Sequence, residues 1–167
     1  MEKNNNLLYH AIQWGIILGI IRILIDVIAK VLDVSSMVYY STSLIGFVVE
    51  ILIIIYVIKV FRDKLNNGNL SISQAIKMGL IMMIIVAIFL FIIKSFFEPD
   101  FEISKSIEMV EKYQPEKLDE VMEKVSEAKE NPQYIKSFAF ILGWFMFLGL
   151  LISSITGAIM KKEETAF

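Results

Sequence analysis

Apolar residues gather into four long runs along this chain, and the segments between them differ in kind. The runs extend from about Leu8 to Leu32, Tyr40 to Phe61, Ala75 to Phe97 and Ile135 to Met160. Each reaches the ~20 residues that a helix needs to cross ~30 Å of hydrocarbon. A lipid interior offers no partner to an unpaired backbone amide or carbonyl, so the runs predict helices. Asp33-Val34-Ser35-Ser36 reads as a short turn between the first two spans. The Asn/Gly cluster Asn66-Asn67-Gly68-Asn69 reads as a tight loop between the second and third. Ser71 or Ser73 is then placed to cap the third helix through its hydroxyl.

The interval between spans three and four is of another order: 37 residues from Glu98 to Tyr134, far more than a turn requires. Ile103, Ile107 and Val110 recur at helical spacing within it. After Pro115, Leu118, Val121, Met122, Val125 and Ala128 do the same, with acids and lysines opposite. Pro99 stops the third span, Pro115 suits the first turn of a new helix, and Asn131-Pro132 ends that helix. Glu108/Lys112 and Glu120/Lys124 are i,i+4 pairs in the favourable order. The expected fold is therefore all-α. It is an integral membrane four-helix bundle, one domain over residues 1–167, with a two-helix amphipathic extramembrane excursion at about 98–134.

Composition narrows the classes further. Hydrophobic residues make up 56% of the chain, against about 45–50% in a soluble domain. The net charge of −2 lacks the basic surplus of a nucleic-acid binder, so no nucleic acid is expected. The absence of cysteine excludes thiolate catalysis and Cys-based metal sites. His10 stands alone and makes a poor metal ligand; it reads as an interfacial residue. No phosphate loop, Ser/His/Asp set or His-Glu-x-x-His motif is present, so no catalytic residue, metal or cofactor is expected. The first run is longer than a signal peptide's apolar region of about 7–15 residues and lacks an Ala-x-Ala site; it reads as a retained span.

The exceptions within the spans carry the chemistry. Arg22 and Asp26 lie in span one and Glu50 in span two, where ionised groups persist only by pairing, snorkelling or lining a polar cavity. At about 100° per residue, Gly15, Gly19, Arg22 and Asp26 fall on one stripe of span one. Gly15-x-x-x-Gly19 lets another backbone approach closely, so that stripe faces protein. Ser43, Gly46 and Glu50 share one face of span two. In an antiparallel hairpin Arg22 and Glu50 sit at matching depth, predicting an interhelical ion pair with Asp26 as second partner. The favoured role for this cluster is to hold the two spans together. A solute or proton route is the runner-up, and a surface for a partner helix comes third. Gly149, Ser153 and Gly157 in span four form a small-residue stripe for close packing, within the bundle by preference or else between subunits of a homo-oligomer.

Two stretches resemble a known family. Ser71-Ile72-Ser73-Gln74-Ala75-Ile76-Lys77-Met78-Gly79 and Phe97-Glu98-Pro99-Asp100-Phe101 are similar to segments entering and leaving the third span of the domain-of-unknown-function 4199 family. The resemblance implies a four-span protein of the bacterial inner membrane with its long loop in the periplasm. It implies no activity. The densely basic loop after span two gives the same orientation, with both termini cytoplasmic. The function expected is that of a non-enzymatic small accessory or interaction protein, with the bilayer as one partner and a protein met through the 98–134 loop as another. The alternative is a small solute or proton transporter or channel using Arg22, Asp26 and Glu50.

Overall fold

The computed structural model describes residues 2–97 and 99–162, so Glu98 of the second motif lies outside the described residues. Six α-helices occupy them: α1 (Glu2–Val31), α2 (Ser36–Val60), α3 (Ile72–Ile92), α4 (Pro99–Tyr113), α5 (Leu118–Glu130) and α6 (Tyr134–Met160). The second and third helices each run on into a π-helical turn, Phe61–Leu65 and Ile93–Phe97. Four segments are long and apolar enough to cross a membrane: Asn6–Val31, Ser36–Leu65, Ile72–Ser95 and Tyr134–Met160. The chain is an all-α helical bundle of a multi-pass membrane protein. Spans one to three begin earlier than hydropathy places them, because polar residues such as Ser36 and Gln74 continue the helix beyond its apolar part.

Local chemistry fixes the helix ends. The first helix closes in a Schellman motif: Val34 N–H donates to Ala29 O at 3.2 Å and Asp33 N–H to Lys30 O at 3.0 Å. Asp33 supplies the left-handed residue that this motif needs, at φ 41°. Asn67 and Gly68 take the same region in the next loop, at φ 52° and 80°. Ser71 caps α3 in a full capping box with Gln74. Pro99 opens α4, where its missing N–H is unneeded.

The third helix is the axis of the bundle and packs most extensively against α6 and α1. Its buried Met78, Met82, Met83, Val86 and Leu90 meet Leu18 of α1, Ile54 and Ile58 of α2, and Leu148 and Ile152 of α6 in one core. Lipid gives helices no hydrophobic drive to associate, so close backbone approach matters more than it does in water. A Cβ at Gly79 would strike Ser153, one at Gly149 would lie 2.8 Å from Gly79 O, and one at Gly157 would lie 2.8 Å from the Ala75 methyl. The small-residue stripe of α6 is thus occupied within the chain, by α3. Ser153 and Thr156 satisfy their hydroxyls on the carbonyls of Gly149 and Ile152, at 2.5 and 2.8 Å. Gly15 and Gly19 do the same service for α1, lying against Ile85 and Phe89 of α3.

One end of the bundle holds the start of α1, the α2–α3 loop and the end of α6, where Leu70 and Lys162 exchange backbone hydrogen bonds of 2.7 and 3.0 Å. The excursion covers the other end. There α4 packs on α2, and α5 on α4. Lys105 Nζ reaches Asp33 at 2.9 Å and Glu108 at 3.2 Å. Glu108 Oε1 also accepts from Ser36 N–H at 2.9 Å, so a residue of α4 caps the N-terminus of α2. Glu108 therefore turns to Lys105 and Ser36 rather than to Lys112, while Glu120 and Lys124 pair at 2.5 Å as their spacing predicts. Two ammonium groups lie over the Phe101 ring, Lys30 at 5.7 Å and Lys105 at 5.4 Å from its centre.

Candidate functional site

The first two spans lie antiparallel, and this brings Arg22 against α2. Its Nε is 3.2 Å from Glu50 Oε1, with the two side chains only 13% and 3% exposed. The two atoms are close but poorly aligned, and neither completes a hydrogen bond. Gly46, one turn from Glu50, is the reason the guanidinium fits: a Cβ there would collide with it. This glycine makes room for a charged side chain rather than for another backbone. Arg22 carries five donors, and no hydrogen bond joins its terminal amino groups to another described residue.

Asp26 takes different company. Its Oδ2 pairs with Lys30 Nζ at 3.0 Å, one turn along α1. Its Oδ1 lies 3.2 Å from the hydroxyl of Tyr39, which also sits 2.9 Å from Glu102 Oε1. One hydroxyl proton serves only one of these carboxylates at a time, and Lys30 and Lys94 supply the balancing charge, Lys94 pairing directly with Glu102. Asp26 is thus not the second partner of Arg22. Lys30 and Tyr39 stand closer to the excursion end and claim it first.

Between α2, α3 and α6 the ion pair faces a cleft of about 400 Å³. Arg22, Ser43 and Glu50 form its polar side, and Phe47, Phe145 and Leu148 are among its apolar walls. Lys94 and Ile141 also line a second hollow of about 550 Å³ at the excursion end, with Glu102, Gln133 and Lys136. One turn further from that end the bundle is closed. Leu18, Ile54 and Val86, each four residues from Arg22, Glu50 and Leu90, are fully buried. Away from the excursion the cleft is therefore stopped by packed apolar side chains.

Several expected roles change. His10 is buried, its Nε2 donating to Val57 O at 3.3 Å beside Trp14 and Phe61. Tyr39 is buried within the ionic network. Tyr39, Glu102 and Lys105 had no signal in the sequence. Besides local partners, each has one 13 to 72 positions away that only the fold brings to it.

Four membrane-length helices around a buried charge pair define an α-helical multi-pass membrane protein. A family model described as a protein of unknown function (DUF4199) matches residues 13–162, and the chain belongs to that family. Comparison with curated proteins and with solved structures gave no match.

Proposed function

We propose that this is a non-enzymatic accessory protein of the bacterial inner membrane, with both termini cytoplasmic and the excursion periplasmic, where it meets a protein partner. The observation that carries the reading is the division of labour within the excursion. The α4 helix is fastened to the bundle through Glu102, Lys105 and Glu108, whereas α5 has no buried residue and rides on α4, with Lys129 reaching Asp100 at 2.8 Å. An anchored helix that carries an exposed one is suited to presenting a surface. The closed apolar layer of Leu18, Ile54 and Val86 supports this role over conduction through the bundle.

A photo-crosslinking residue at Met122, which is 49% exposed on α5, tests the reading in cells. The expected product is one adduct of defined mass with a periplasmic protein, lost when Glu108→Ala and Lys105→Ala free α4. Labelling of lipid alone would contradict it, as would proton or solute flux through the reconstituted protein that stops with Glu50→Gln.

A further inference from the structure

We infer that the cleft beside Arg22 and Glu50 is a binding site for the phosphate head of a membrane phospholipid, entered sideways between α2 and α6. This goes beyond the accessory role and does not depend on it. Three observations lead there. The first is unused donor capacity at depth. Arg22 is buried, lines the cleft and has one counter-ion among the described residues, met at Nε and poorly aligned. Its terminal amino groups are a planar fork matched to a phosphate or carboxylate oxyanion. Nε is the donor that is buried without a completed hydrogen bond, and a donor left so in an apolar medium is disfavoured.

The second observation is charge. Arg22 and Lys94 line the cleft with one carboxylate, Glu50, and the adjoining hollow adds Lys136 against Glu102. Among the described residues the two hollows together hold three cations, Arg22, Lys94 and Lys136, against the two carboxylates Glu50 and Glu102, and this single surplus favours an anionic group. The Ser43 hydroxyl on the cleft wall adds a donor for an ester or phosphate oxygen.

The third is where the cleft opens. Its lips are Leu44 of α2 and Trp144 of α6, 66% and 54% exposed. Both lie on spans whose outer faces are turned to hydrocarbon, so a molecule in the cleft can leave its chains between these helices in the bilayer. A soluble anion would have no use for such lips. A phospholipid fits both parts, its phosphate on Arg22 and Lys94 and its acyl chains along Leu44 and Trp144.

Native mass spectrometry of the full chain in detergent tests this with three probes: dioleoylphosphatidylglycerol, dioleoylglycerol and glycerol 3-phosphate. The expected result is a 1:1 adduct with the phospholipid alone. Two variants act by different routes. Ile141→Trp adds bulk at a wall residue that both hollows share and keeps every charge. Arg22→Gln combined with Glu50→Gln removes the charges and keeps the volume. Each is expected to lower phospholipid occupancy about tenfold, read on the folded, monodisperse fraction. Equal retention of dioleoylglycerol would overturn the phosphate assignment, and equal retention of glycerol 3-phosphate would overturn the lipid one. Undiminished phospholipid binding in either folded variant would place the lipid elsewhere and overturn the site.

Discussion

The third helix meets its neighbours α6 and α2 in opposite ways. Against α6 the contact is dry and close: Gly79, Gly149, Ser153 and Gly157 remove side chains from the seam so that backbones approach. Toward α2 the contact is sparse, and a cleft with an ion pair on its wall takes the place of a seam. The same lipid surrounds both. The difference shows two solutions to one difficulty, since burying apolar surface contributes little between helices already in hydrocarbon. One solution uses shape. The other uses charges that cannot be left alone, with Glu50 tying α2 to Arg22 of α1 and the excursion tying the hairpin from above.

Breaking the charged side should have the largest effect. Gly46→Val fills the space that the guanidinium occupies and separates it from Glu50. Uncompensated buried charges of this kind cost about 3–5 kcal/mol, and thermal unfolding in detergent should show a loss of that order. The dry seam is the next test. Gly79→Leu pushes α6 away from α3 and should cost about 1–3 kcal/mol through overpacking. Gly143, where an added Cβ meets nothing within 4 Å, is the control on α6. Replacing it by alanine should leave stability unchanged or raise it by a few tenths to about 1 kcal/mol through helix propensity.

The smallest effect is local and depends on pH. Glu108 is held below the usual carboxylate range, first by the Ser36 backbone N–H and then by Lys105. A carboxyl whose folded value is depressed contributes stability above its unfolded value, about 4.3, and loses that contribution as pH falls through the folded value. Lys105, raised chiefly by Asp33, stays charged throughout that range. Acidification below about pH 4 should therefore loosen α4 first. Hydrogen exchange at the start of α2 and along α4 should speed up before exchange in the α3–α6 seam changes. Glu108→Gln should abolish this early step.

The four spans were legible because hydropathy and length are nearly sufficient in a bilayer. Gly149, Ser153 and Gly157 were legible as a packing stripe, though only the fold identifies α3 as what they pack against. Arg22 and Glu50 could be matched by counting turns from a hairpin. Asp26 could not, because Lys30 and Tyr39 compete for it from positions that periodicity does not rank. The same holds for Glu108, whose i,i+4 lysine is ignored in favour of Ser36, 72 residues away. His10 misled for a related reason. A residue near a span end reads as interfacial, yet the π-helical extension of α2 places Phe61 over it. The cleft itself left no mark in the sequence, being the space that three helices leave between them.

The most direct test of the account is a double-mutant cycle on the pair. Arg22→Met, Glu50→Gln and their combination would each be measured by thermal unfolding of the purified protein. The account predicts that each single change destabilises by about 3–5 kcal/mol and that the double variant recovers most of the loss. This would give a coupling well above the few tenths of a kcal/mol seen between independent sites. Additive losses would contradict it, because Arg22 and Glu50 would then act separately and α2 would be held by something other than their pairing.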